Sequence, residues 1–147
     1  DFAMLIYGEF NVFPRSDALD ILKRTCAALK PGGLVFIEPH TFGYVQSRGH
    51  APSTWSADRT GLFCDRPHLL LEESFWVEST SVAVHRWYVV DSATGDVTRH
   101  ADAVQAYTEA DYAALLNEAG FDDVQWHSDW PSAPGQEGDF LAITARR

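Results

Sequence analysis

At 147 residues, 46% hydrophobic and 22% charged, the chain fits one globular domain, or a large part of one, rather than a disordered segment. Its 11 Lys and Arg face 21 Asp and Glu, a net charge of -10 spread along the chain, which argues against a polyanionic partner such as DNA or RNA. No apolar run approaches the ~20 residues of a membrane span. Cys26 and Cys64 lack zinc or disulfide-framework spacing, so a reducing cytoplasm is the expected compartment.

The chain opens on Phe2-Ala3-Met4-Leu5-Ile6-Tyr7. An uninterrupted apolar run of this kind predicts a strand over 2–7, covered on both faces in a parallel sheet. Gly8 to Pro14 reads as a loop. Ser16 is the expected N-cap of a helix in which Ala18, Leu19, Leu22, Cys26 and Leu29 recur at helical spacing. Lys30-Pro31-Gly32-Gly33 ends that helix and turns the chain into a second buried strand, Leu34 to Glu38. Strand, helix and strand over so short a stretch predict a parallel crossover unit.

Residues 39–68 carry Pro39, Gly43, Gly49, Pro52, Gly61 and Pro67, and read as a long irregular segment of the kind used as a lid. Three antiparallel strands follow, near 69–78, 82–91 and 96–103. The last two are joined by the hairpin signal Ser92-Ala93-Thr94-Gly95. Thr108-Glu109-Ala110-Asp111 resembles a capping box. The helix it opens carries Tyr112, Leu115, Leu116 and Ala119, and stops at Gly120 with Phe121 as apolar anchor. Strands near 123–128 and 139–145 close the chain around the loop from Pro131 to Gly138, which holds Gly135.

Other chemistries find no motif. The six histidines form no H-x-x-x-H or H-E-x-x-H pair, so no metal site is expected. No G-x-S-x-G elbow and no P-loop is present.

Three blocks resemble the C-terminal half of a class I S-adenosylmethionine-dependent methyltransferase of the small-molecule type. Asp1 to Phe13 is similar to that family's fourth strand and the loop after it. Leu29 to Glu38 is similar to its "LKPGG" turn and fifth strand. Tyr107 to Phe121 with Asp139 to Ala145 resembles its last helix and closing hairpin. The resemblance implies an α/β fold: a partial Rossmann-like sheet of strands four to seven, in the order fourth, fifth, seventh, sixth, with a small antiparallel β insertion. It divides the chain into a strand-helix-strand unit at 1–38, a loop and insertion forming a substrate lid at 39–106, and a helix and hairpin at 107–147. No G-x-G-x-x-G cluster exists here and the chain does not begin with Met. The expectation is a truncated or processed piece that lacks the main cofactor-binding motif and is inactive alone. A non-catalytic binding or dimerisation domain derived from a methyltransferase is the alternative.

Open α/β sheets bind ligands at the carboxyl ends of their strands. On the resemblance, Tyr7, Gly8 and Glu9 lie by the methionine portion of the cofactor, while Phe10 and Thr41 face the substrate. Phe10 and Tyr7 have core or loop packing as their plain alternative, and Glu9 that of a solvated loop acid. Histidine titrates near neutral pH, so His40 is the candidate general base, needed only where the acceptor must lose a proton. Trp55, Phe63, Trp76 and Trp87 would roof an apolar or cationic small molecule, with core packing as the alternative for each. The bare first strand or the aromatic insertion is expected to drive self-association.

Overall fold

The computed structural model describes residues 1–128, 130 and 138–147. The chain forms two compact units, one from residues 1–45 with 104–147, the other from 46–103.

In the first unit, β1 (Phe2–Leu5) leads through a single 3-10 turn (Glu9–Val12) into α1 (Arg15–Ala28) and β2 (Leu34–Ile37). Then α2 (Phe42–Gly49) begins, and after the second unit come α3 (Glu109–Glu118), β7 (Asp122–Trp126) and β8 (Ile143–Arg146). The sheet order is β1-β2-β8-β7. β1 and β2 run parallel with Phe2 opposite Leu34 and Leu5 opposite Ile37, and β8 is antiparallel to both β2 and β7. This is the order that the resemblance implies, with the first and second strands side by side in one direction.

Alternation sorts β2. Val35 and Ile37 enter one core with Leu22 and Cys26 of α1, Tyr112, Leu115 and Leu116 of α3, and Phe121. Each Val, Leu, Ile or Phe among them contributes roughly 1.5–3 kcal/mol when buried. Gly120, at φ 94, ends α3 and lies against the Cys26 sulfur, whose thiol donates to the Gly120 carbonyl at 3.4 Å. A Cβ at Gly120 would meet that sulfur at 3.5 Å.

The expected cover on both faces of the first strand is not found. Ala3 and Leu5 pack on the core, whereas Phe2 is 57% and Met4 63% exposed. The strand also stops at Leu5, because Tyr7 and Gly8 turn left-handed at φ 61 and 74. Ser16 is not the N-cap. Pro14 holds that position without a side-chain bond, and the Ser16 hydroxyl donates to Asp17 at 3.0 Å.

The second unit is a sheet in the order β3-β4-β5-β6, formed by β3 (Thr54–Asp58), β4 (His68–Val77), β5 (Val82–Asp91) and β6 (Val97–Gln105). The expected hairpin at 92–95 is present. The Asp91 carboxylate accepts from the amides of Ala93 (2.8 Å) and Thr94 (3.1 Å), which hold its pKa below the ordinary value, aided by Arg66. Residues 39–68 are more regular than expected, since they hold both α2 and β3. Thr41 starts α2 by accepting from the Tyr44 amide at 3.2 Å, and Val45 is fully buried. The glycines at 43 and 49 masked this short amphipathic turn. Residues 131–137, Gly135 included, lie outside the described residues.

The capping box of α3 is complete. Thr108 accepts from the Asp111 amide at 3.2 Å, and Asp111 accepts from the Thr108 amide at 2.9 Å and from its hydroxyl at 2.6 Å. These bonds hold the Asp111 pKa below 3.8, with Arg15 adding attraction. Asp111→Ala is expected to cost about 1 kcal/mol at neutral pH, or about 3 °C in melting temperature for a chain of this size. The folded pKa is depressed, so the contribution is complete above 3.8 and is lost as pH falls through the lower folded value. Melting curves at neutral and strongly acidic pH check this; an unchanged gap in acid would contradict it.

Candidate functional site

The carboxyl ends of β1 and β2 bring together Tyr7, Gly8, Glu38, His40 and Thr41. At the centre is Asn11, fully buried in the 3-10 turn. Its amide nitrogen donates to the Gln105 carbonyl and to the Tyr112 hydroxyl, both at 2.9 Å. Its oxygen accepts from the His40 amide at 2.8 Å. The Tyr112 hydroxyl in turn donates to the His40 carbonyl at 2.9 Å. Burial pushes the Tyr112 pKa up, so the hydroxyl keeps its proton for that bond. Tyr107, raised to about 12 by burial, donates to the Phe13 carbonyl at 2.9 Å.

With both its backbone groups tied, the His40 ring is held between Tyr44 and Phe140, at 4.3 and 4.5 Å between ring centroids. Nδ1 lies 3.2 Å from the Asp139 carbonyl. A carbonyl only accepts, so Nδ1 is the donor of that bond. The Nε2 edge lies over Gly8, where a Cβ would come within 2.2 Å of Nε2. Glycine is required there twice, for the close approach and for its φ of 74.

Glu38, which the sequence reading places only at the end of a strand, organises the edge. One carboxylate oxygen accepts from the Tyr7 amide and the other from Trp130 Nε1, each at 2.8 Å. Its backbone carbonyl accepts from the Gly8 amide at 2.9 Å. Tyr7 is thereby held left-handed with its ring exposed, 5.6 Å from Phe140. Glu9 is exposed. Thr41 donates to the Gly138 carbonyl at 2.9 Å. Beside it opens a cavity of about 330 Å³ lined by Thr41, Glu109, Trp126, Trp130 and Phe140, among others. Nothing in the local sequence pattern marks this cavity, because its walls come from four separate stretches.

Phe10 is 1% exposed and packs edge-on against Tyr107 and Tyr112, which is the core-packing alternative rather than a substrate wall. The remaining aromatics belong to the second unit. Trp87 and Phe63 lie 5.4 Å apart, Phe63 stacks on His100 at 4.4 Å, and Trp87 donates to Glu72 at 2.9 Å. Trp76 sits 6.1 Å from His50 and donates to Glu78. Trp55 is 73% exposed on β3 and lines a separate cavity with Leu71 and Tyr88. The four residues therefore form one pair and two separate positions. Among the described residues no cluster of His, Cys, Asp and Glu could hold a metal ion.

No family model and no curated protein sequence matches the chain. Solved structures do match. An S-adenosylmethionine-dependent methyltransferase from Clostridium acetobutylicum superposes with a TM-score of 0.67 at 12% identity, over 99% of this chain and 57% of that one. The fold is of the methyltransferase type. A sugar N-methyltransferase from a Streptoalloteichus species gives 0.65 at 17% identity, over 99% and 56%. An amino pentose methyltransferase from Micromonospora echinaspora, solved with S-adenosylmethionine bound, gives 0.63 at 18%, over 99% and 58%. The chain thus spans less than three fifths of the length of these structures, with the Rossmann-like sheet and antiparallel insertion that the three blocks imply.

Gly8→Ala is expected to destabilise the chain by about 2 kcal/mol or more, through the left-handed φ and the overlap with His40. Adding His40→Ala should recover part of the loss. Urea denaturation of the two single variants and the double variant measures the coupling; strictly additive losses would contradict the contact.

Proposed function

We propose that these residues are the C-terminal part of an S-adenosylmethionine-dependent methyltransferase acting on a small molecule. The observation that carries the reading is His40, placed at the carboxyl edge of the sheet with its proton on Nδ1 and its ring fixed by Tyr44 and Phe140. The fold supports it, and so do matched structures that are described as amino pentose and sugar N-methyltransferases. The two free thiols and the lack of any helix long and apolar enough to cross a membrane, among the described residues, are compatible with the cytoplasm proposed as its compartment.

The end of β1 suits the methionine side of the donor. Tyr7 offers an exposed aromatic face and Glu9 an exposed carboxylate for an ammonium group. The amides of Tyr7 and Gly8 are already bonded to Glu38, so side chains rather than backbone serve there. When bound, S-adenosylmethionine supplies a methyl group on a sulfonium, open to in-line displacement by an acceptor lone pair. Alignment and exclusion of water provide most of the acceleration in such a step. His40 Nε2 takes the acceptor's proton where one must leave, and the Asp139 carbonyl steadies the imidazolium through Nδ1–H. Thr41, on the same strand end, borders the acceptor side.

The test is methyl transfer by the full-length gene product against a panel of metabolites. His40→Gln is expected to lower kcat about 100-fold and to flatten its pH profile. Activity on protein or nucleic acid only, or no activity on any acceptor, would overturn the reading. The 147 residues alone are expected to bind S-adenosylmethionine poorly; micromolar affinity by calorimetry would refute that part.

We also propose that the open edge of β1 drives self-association of this chain, since Phe2 and Met4 present apolar side chains on a terminal strand of the sheet. Light scattering at high concentration is expected to show multimers that Met4→Lys disperses. A monodisperse monomer would contradict it.

A further inference from the structure

The cavity beside Thr41 differs from the rest of the carboxyl edge in its chemistry. Three aromatic residues line it, Trp126, Trp130 and Phe140, together with His127 and with Glu109 at the start of α3. Its volume of about 330 Å³ suits a small organic ligand. One wall is fixed in advance. Trp130 donates to Glu38 at 2.8 Å and rests on Phe36 with ring centroids 4.8 Å apart. Phe140 is likewise held by its stack on His40.

Glu109 decides the sign of the ligand. Among the described residues it makes no ion pair, whereas Asp111 in the same turn is paired with Arg15. An apolar ligand would desolvate that carboxylate without replacing its water. A cation satisfies it and also gains from the negative faces of the rings. The net charge of -10 draws cations toward the surface in general. We propose that this cavity binds a small organic cation of the ammonium class, held by the aromatic walls and by Glu109. The proposal rests on the methyl-transfer reading only in treating this as the acceptor side. Its test needs neither donor nor turnover.

The probe is choline, titrated into the 147-residue chain and followed by tryptophan fluorescence and by chemical-shift changes. The control ligand is its neutral isostere, in which carbon replaces nitrogen. Choline is expected to bind saturably in the millimolar range or tighter, about tenfold more tightly than the isostere. Glu109→Gln should erase that preference, and Trp130→Phe should weaken choline binding. Glu118→Gln removes one negative charge from the other end of the same helix and should leave binding unchanged. Equal binding of the two ligands, an unaltered Glu109→Gln variant, an equal loss in Glu118→Gln, or no saturation would each overturn the proposal. A full-length protein that binds choline yet transfers no methyl group would refute the catalytic reading and leave this one standing.

Discussion

A single buried carboxamide holds the carboxyl edge of the first sheet together. Asn11 is sealed from water, and each of its polar atoms is bonded to a different part of the first unit: the His40 amide, the Gln105 carbonyl and the Tyr112 hydroxyl. A buried amide costs free energy unless it is satisfied, so this arrangement forms only when all three partners are in place. The loop after β1, the segment after β2, the end of β6 and helix α3 are thereby fixed as one. Replacing Asn11 by an apolar residue would leave the His40 amide unpaired in the interior, at a cost of about 1–3 kcal/mol for that group alone.

The same logic extends outward from His40. Its backbone is set by Asn11 and Tyr112, its ring by aromatic neighbours, and its approach to the neighbouring strand by the missing side chain of Gly8. Glu38 does for the turn at Tyr7 and for Trp130 what Asn11 does for the interior, but with a charged group and in partial contact with solvent. The turn at Tyr7 and a wall of the aromatic cavity thus share one carboxylate. Such joint anchoring keeps an edge preorganised without demanding a large core beneath it.

Much of the fold was legible because local chemistry dictated it. The Lys30-to-Gly33 stop, the Thr108–Asp111 box, the Gly120 stop with Phe121, and the turn at 92–95 each have a short-range cause, and each is present. What escaped notice depends on partners far away in sequence. Asn11 reads as an ordinary loop residue until Gln105 and Tyr112 are brought to it. The helix at 42–49 hid behind glycines because its start relies on the Thr41 hydroxyl and its burial on Val45. The first strand shows the limit most clearly. An apolar run records that a strand will form, and says nothing about what, if anything, covers its outer face.

The contact between Cys26 and Gly120 has a practical consequence. The sulfur sits where α1 meets the end of α3 and donates to the Gly120 carbonyl. A thiol in that position meets a reagent only when the two helices part. Cys64, only partly buried in the second unit, is expected to react without such an event. The protein thus carries two built-in reporters on different clocks, one timing the opening of its interior and one sampling its surface.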